Sequence, residues 1–155
     1  MQLVFTLCLP RDQASVPIVR HVCRDCLVKL GVEESCVSDI ELAVTEACTN
    51  VLDHANGTGD AYEVRVEVDE NQSKISVVDT GEGFDLEAKG FKQVEPGAES
   101  GRGLFLMNAL VDDLKFISRP EEGTIVQLVK SLTLRPDSIL SRAADREAAA
   151  AATTR

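Results

Sequence analysis

The chain has 155 residues, 44% of them hydrophobic, which is enough for one domain with a core of its own. A net charge of −10 disfavours direct binding to the phosphate backbone of nucleic acid. The apolar runs are too short to span a bilayer, and no signal-peptide pattern opens the chain, so we expect no membrane association and a cytoplasmic location.

The first 31 residues are predicted to contain a strand and a helix. Residues 2–9 alternate loosely between apolar and polar side chains, as a strand does. Residues 12–30 carry apolar side chains at helical spacing, and the helix is expected to end at Gly31, because glycine adopts the left-handed conformation that commonly terminates helices.

A second, longer helix is predicted to begin with Ser35 or Ser38 as its N-cap and to run to about Ala55. One face of this helix is apolar. Another face carries four polar residues at spacings of three and four, namely Glu46, Thr49, Asn50 and Asp53. Asparagine is a poor residue for a helix interior, which favours a functional role, but a plain solvated face also explains this pattern.

Two pairs of strands are predicted after the helices, at 62–69 with 74–79 and at 114–118 with 124–132. Between the pairs, residues 81–103 are rich in glycine and show no periodicity, which is typical of a functional or mobile loop. A short helix is predicted at 104–110.

The fold class follows from this order of elements. Helices that are segregated from mostly antiparallel strands predict an α+β two-layer sandwich, with a mixed, mostly antiparallel sheet and its helices on one face. We expect one domain over residues 1–133. The Ala-rich residues 134–155 have helix propensity but little to bury, which predicts a frayed helix or a disordered tail.

The five cysteines are odd in number and lie mostly at apolar positions, so we interpret them as small core residues in a reducing compartment. Cys23 and Cys26 form a CxxC pair. A zinc site would need a second pair of ligands, and neither His21 nor His54 completes a standard spacing. Metal or redox chemistry is therefore the weaker alternative.

A motif suited to base recognition follows the predicted strand 74–79. In Asp79-Thr80-Gly81-Glu82-Gly83, the carboxylate can accept a hydrogen bond from an exocyclic amine. The two glycines would let the backbone approach a flat ring closely. A turn that Asp79 caps explains the same residues, so both interpretations stay open.

Glycines also stand at the start of the short helix, in Gly101-Arg102-Gly103-Leu104. Exposed N–H groups at a helix start suit phosphate oxygens. The motif is neither a Rossmann fingerprint nor a P-loop, because it lacks the third glycine of the first and the Lys-Ser/Thr ending of the second. Alone, it is a weak signal.

Taken together and in order, these motifs resemble those of a known superfamily. The series is Glu46-x-x-x-Asn50, Asp79-x-Gly81-x-Gly83, Gly101-x-Gly103-Leu104 and Gly123-Thr124. It resembles the N, G1, G2 and G3 boxes of the GHKL ATPases, which include gyrase, histidine kinases and MutL and share the Bergerat fold. The small size of the chain and the sequence of residues 46–55 look most like those of the RsbW/SpoIIAB anti-sigma-factor kinases. The resemblance covers about residues 1–133.

The resemblance implies ATP and Mg²⁺ as cofactors and a role for each motif residue. Asn50 would ligate Mg²⁺, and Glu46 would be the general base. Asp79 would hold the adenine amine, with Thr80 and Thr124 as supporting hydroxyls. The implied nucleotide-binding residues are Asn50, Asp79, Thr80, Gly81, Gly83, Gly101, Arg102, Gly103, Leu104 and Thr124.

The activity that the resemblance implies is phosphorylation of a STAS-domain anti-anti-sigma protein, combined with sequestration of a sigma factor. The family also implies a homodimer, for which Leu3 and Phe5 are candidate interface residues. Two alternatives stay open: a nucleotide-binding module that sequesters a partner without kinase activity, and a stress-signalling kinase that binds no sigma factor. Glu46 favours a kinase over the pure binding module, which has no need of a base.

Overall fold

The computed structural model describes residues 1–54, 59–79, 101–119 and 123–154. The strands in these ranges are β1 (Leu3–Pro10), β2 (Ala61–Val68), β3 (Gln72–Asp79), β4 (Asp113–Arg119) and β5 (Gly123–Ser131). The helices are α1 (Val16–Leu30), α2 (Glu34–His54), α3 (Gly101–Leu110) and α4 (Ile139–Thr153), and a 3₁₀ turn (Gln13–Ser15) precedes α1. Within the described residues the strands form one sheet in the order β1-β2-β3-β5-β4, and each neighbouring pair is antiparallel.

The helices cover one face of this sheet. α2 packs on β3 and β5, while α1 and α3 both pack against α2. Alternate residues of β2 are fully buried in the core, namely Tyr62, Val64, Val66 and Val68. Their partners on β1 are Leu9, Leu7, Phe5 and Leu3, which are partly buried against the same core. This arrangement confirms the predicted two-layer α+β sandwich.

Helix α2 is the main contact between the helical layer and the sheet. Its predicted apolar stripe is buried, with Ile40, Ala43, Val44, Ala47 and Val51 at most 2% exposed. The helix begins at Glu34, ahead of Ser35 and Ser38, so neither serine is the N-cap that the sequence suggested. Instead, the carbonyl of Glu33 accepts the Val37 N–H at 3.1 Å, and the Ser38 hydroxyl donates to Glu34. The predicted helix end at Ala55 lies outside the described residues.

The second strand of the hairpin, β3, and the short helix, α3, both begin earlier than predicted. β3 starts at Gln72, because the Asp69 carboxylate accepts the N–H groups of Asn71 and Gln72 at 2.7 and 2.8 Å and closes the turn. α3 starts at Gly101 rather than at residue 104. The two glycines of its motif therefore belong to the helix itself.

The end of α1 and the start of α4 are packed against each other. Gly31 ends α1 in the left-handed conformation, with φ of +88°. The Ser138 hydroxyl donates to the Leu30 carbonyl at 2.7 Å, and the same oxygen caps α4 by accepting the Leu140 N–H at 3.2 Å. Leu140 is fully buried, whereas residues 145–154 are exposed. The Ala-rich segment is thus helical and anchored at its first turn; the domain boundary at residue 133 stays a prediction.

The cysteines divide between the core and the surface. Cys23, Cys36 and Cys48 are buried, as the sequence predicts, but Cys8 is exposed. Burial raises the pKa of the Cys23 thiol to about 12, which leaves little reactive thiolate. Among the residues that the structure describes, no group of three or more His, Cys, Asp or Glu side chains is placed to hold a metal ion.

No helix in the described ranges has both the length and the apolar character that crossing a bilayer requires.

Gly31→Ala is expected to destabilise the fold. A Cβ atom at this position would lie 2.5 Å from Ser138 Cα, and φ is positive. We expect a loss of about 2–4 kcal/mol in the free energy of unfolding, measured with urea. Asp145→Ala, at an exposed position of α4, is the control and should change stability by less than about 0.5 kcal/mol. Equal effects of the two substitutions would contradict the packing described for Gly31.

Candidate functional site

The polar face of α2 contains a buried amide with an unused donor. Asn50 is 8% exposed, and within the described structure its Nδ2 atom has no hydrogen-bond partner. Buried side-chain amides are usually hydrogen-bonded, so an unpaired one indicates a place for a ligand. Glu46, one helical turn earlier, is partly buried. The carboxylate and the amide thus lie on the same helix face, as predicted.

The end of β3 holds a second unpaired group, the carboxylate of Asp79. This side chain is fully buried, and among the described residues neither of its oxygens accepts a hydrogen bond. It forms an ion pair in which Arg11 Nη2 lies 3.2 Å from Oδ2. Burial raises the pKa of Asp79 above its usual 3.8, and the charge of Arg11 partly offsets that rise. A buried carboxylate with acceptors to spare is suited to a ligand that brings a donor.

Thr124 lies next to Asp79 in the sheet. The two residues are register partners across β3 and β5, and Thr124 is 1% exposed. The structure therefore brings together two residues that the sequence motifs assign to the same part of a nucleotide site. Thr80, Gly81 and Gly83 lie outside the described residues.

The start of α3 lies against the Glu46 carboxylate. A Cβ atom at Gly103 would come within 3.3 Å of Glu46 Oε2, so a glycine lets the two helices approach closely here. Leu104 and Met107 are buried and hold α3 in this position. The first N–H groups of a helix have no partner within it, so this end of α3 offers donors to an anion.

Gly101 and Arg102 form the first turn of α3, together with Gly103. The predicted motif thus opens a helix, as its spacing indicates. Leu104, which the motif also includes, is 7% exposed and belongs to the core.

The segment between β1 and α1 contributes two contacts that the sequence did not indicate. Arg11 reaches Asp79, and Gln13 Nε2 donates to Asp53 Oδ1 at 3.1 Å. The segment therefore touches the end of β3 and the last turns of α2, the two elements that carry the site. Only the charge of Arg11, directly after a predicted strand, could have suggested its role.

A family profile decides the wider relationship. The profile described as "Histidine kinase-like ATPase domain" matches residues 9–130 of this chain. The chain belongs to the histidine kinase-like ATPase family. The match includes every motif residue named above and excludes α4, and it confirms the resemblance that the motifs indicated. Family membership makes ATP the nucleotide of this chain.

Within this family, the chain is similar to two kinases and to one solved structure. It is 32% identical over 132 residues to the serine-protein kinase RsbW of Halalkalibacterium halodurans, covering 80% of each chain. It is 32% identical over 145 residues to the serine-protein kinase RsbW of Bacillus licheniformis, covering 76% of this chain and 89% of that protein. A crystal structure of the RsbU and RsbW domains of a Mycobacterium tuberculosis protein superposes with a TM-score of 0.65 at 22% identity. It covers 86% of this chain and 33% of the other, and supports the fold.

Burial of Asp79 predicts an unusual pH dependence of stability. A carboxyl whose pKa is raised on folding stabilises the fold below its unfolded pKa, and this stability is lost as the pH rises through the folded value. Asp79→Asn removes the effect. The variant should therefore gain stability relative to the wild type as the pH rises from about 3.8 upward, in urea titrations of both proteins at several pH values. If the stability of Asp79→Asn relative to the wild type stays constant or falls as the pH rises, the carboxyl group of Asp79 does not have the raised pKa described here.

Proposed function

We propose that the polar face of α2, the end of β3 and the start of α3 form the ATP site of a kinase that phosphorylates an anti-anti-sigma protein. The chain is a serine/threonine protein kinase of the GHKL type, in line with its relatives named serine-protein kinase RsbW. The observation that carries the proposal is the buried Asp79 carboxylate, which accepts no hydrogen bond within the described structure. The rest of the site follows from what surrounds it.

Asp79 recognises the base in this proposal. Its carboxylate accepts a hydrogen bond from the exocyclic amine of adenine, with the hydroxyls of Thr80 and Thr124 in support. The burial of Thr124 beside Asp79 favours this pairing. Gly81 and Gly83 would let the following backbone pack against the ring.

Asn50 and the start of α3 hold the phosphates. The oxygen of the Asn50 amide suits a hard cation such as Mg²⁺, and the unpaired Nδ2 can donate to a phosphate oxygen. The described residues offer no larger group of metal ligands, so Mg²⁺ would take its remaining oxygens from phosphates and water, as this ion commonly does. Bound there, Mg²⁺ would neutralise phosphate charge. The N–H groups of Gly101, Arg102 and Gly103 would close over the phosphates.

Glu46 acts as the general base. It accepts the proton of a serine or threonine hydroxyl while that oxygen attacks the terminal phosphorus of ATP, so that a phosphate ester forms and ADP leaves. Close packing against Gly103, in the first turn of α3, positions the Glu46 carboxylate. Phosphoryl transfer depends mainly on such positioning, because the protein has little covalent chemistry to perform.

The proposed partners are a STAS-domain substrate, a sigma factor and a second copy of the chain, all in the cytoplasm. Leu3 and Phe5, which the sequence suggested for the dimer, are partly buried against the core. On β1, an edge strand of the described sheet, the outward residue Val4 is 42% exposed. We therefore assign any dimer contact through this strand to its outer face.

Glu46→Gln should keep ATP binding but lower phosphotransfer by roughly a hundredfold or more, because the amide cannot accept the proton. The assay follows radiolabelled phosphate from ATP to purified STAS-domain proteins, with calorimetry for ATP binding. Glu41→Gln is the matched control, since Glu41 lies on the same helix but pairs with Arg24 of α1. A fully active Glu46→Gln variant would overturn the base assignment. Failure of the wild type to label any STAS protein would overturn the substrate class.

Gly103→Ala should separate stability from activity. Alanine favours the helix by about 0.5–1 kcal/mol, so the free energy of unfolding should not fall. The added methyl group must displace the Glu46 carboxylate by a few tenths of an ångström, and phosphotransfer should drop about tenfold. Urea unfolding and the labelling assay give the two values. Unchanged transfer in a stable variant would show that the contact with Gly103 does not position Glu46.

A further inference from the structure

Arg11 lies beside the carboxylate that recognises the base, and we infer that it is a positioning residue that sets the selectivity for adenine through Asp79. The inference rests on the proposed function, in which Asp79 accepts the adenine amine. It adds a residue from outside the four nucleotide motifs. Three observations support it: the fixed backbone of Arg11, the reach of its side chain, and the oxygen that it contacts.

The backbone around Arg11 is held on both sides. Its own N–H donates to the Asp60 carbonyl at 3.0 Å, which extends the pairing of β1 with β2 by one more bond. The Asp12 carboxylate then accepts the Ala14 N–H at 2.8 Å. The Ser15 hydroxyl is hydrogen-bonded to the buried Tyr62 hydroxyl at 2.6 Å. The side chain of Arg11 therefore starts from a defined position.

The side chain has to cross a strand to reach its partner. β2 lies between β1 and β3, and neighbouring strands are about 4.8 Å apart, so β3 lies roughly 10 Å from β1. Arginine is long enough to span most of this distance, and its guanidinium ends 3.2 Å from Asp79 Oδ2. The Arg11 side chain is 18% exposed, whereas that of Asp79 is fully buried. Arg11 thus brings a positive charge to a carboxylate that water does not reach.

Helix α2 contributes acidic side chains to this part of the molecule. α2 carries Glu46, which lies against Gly103, and Asp53, which accepts a hydrogen bond from Gln13. Asp60 follows α2 in the chain and accepts from Arg11 through its backbone carbonyl. In the described part of the chain, Arg11 is the cation in ion-pair contact with Asp79.

The contact uses one oxygen and leaves the other for the base. The charge of Arg11 beside Oδ2 favours the ionised form of the carboxyl group, in which Oδ1 can only accept hydrogen bonds. An acceptor faces the amine of adenine favourably but repels the carbonyl that hypoxanthine and guanine carry at the same ring position. A neutral carboxyl could turn its O–H toward that carbonyl instead. Arg11 therefore favours adenine by keeping Asp79 a pure acceptor in a fixed orientation.

The test compares ATP with ITP, which differs at this ring position by a carbonyl in place of the amine. Arg11→Met should weaken ATP binding about tenfold and ITP binding less than about twofold, so the preference for ATP over ITP should become smaller. Arg11→Lys keeps a charge and should stay within about threefold of the wild type for ATP. Calorimetry gives the affinities, and circular dichroism with thermal unfolding checks the fold. If Arg11→Met does not fold, Arg11→Gln takes its place.

A double-mutant cycle with Asp79→Asn shows whether Arg11 acts through Asp79. In the Asp79→Asn background, Arg11→Met should change ATP affinity by less than about twofold. An equal loss in both backgrounds would overturn the inference, because Arg11 would then act elsewhere, for example on the phosphates. Unchanged or tighter ATP binding by Arg11→Met alone would overturn it as well. Wild-type ATP affinity in Asp79→Asn itself would instead overturn the base assignment on which the inference rests.

Discussion

The carboxylate of Asp79 is buried at the end of the central strand β3, and the site is arranged around it. Strands on both sides exclude water from β3, and α2 covers the buried face of the sheet. Removing an ionised group from water is unfavourable unless charges or hydrogen bonds replace its hydration. In the described structure only Arg11 does so, and incompletely, since no hydrogen bond reaches either oxygen. Such a group lowers the stability of the folded protein without ligand, and it is suited to a ligand that supplies a hydrogen-bond donor.

The same packing that builds the core also sets the geometry of the chemistry. The buried stripe of α2 fixes the rotation of that helix, so Glu46 and Asn50 face the same side. Leu104 and Met107 fix α3 in the core and bring Gly103 against Glu46. The residues that we propose to bind phosphate and to accept a proton thus lie on α2 and at the start of α3, two helices that pack directly on each other. Rigid elements of this kind provide the positioning that phosphoryl transfer requires.

Much of the fold could be predicted from the sequence because its signals are local. The strict alternation of β2 and the apolar stripe of α2 both match the observed burial. Gly31 marked the end of α1 for the same reason, since its backbone conformation is a property of the residue itself. The start of α2 was harder to predict from the sequence, because a backbone carbonyl rather than a serine side chain accepts the Val37 N–H.

The site could be predicted only in part, because some of its contacts depend on sheet order. The motifs placed Asp79 with Thr124, and the register of β3 with β5 agrees. The contact between Arg11 and Asp79 needs β1, β2 and β3 to be neighbours in that order, which no local pattern specifies. The contact between Gly103 and Glu46 likewise depends on the packing of α3 against α2.

A crystal structure with Mg²⁺ and a non-hydrolysable ATP analogue tests the proposed site most directly. We expect the adenine amine within about 3 Å of Asp79 Oδ1, with Arg11 still at Oδ2. We also expect the phosphates between Asn50 and the first turn of α3. A base bound away from Asp79, or phosphates away from Asn50, would contradict the proposed site.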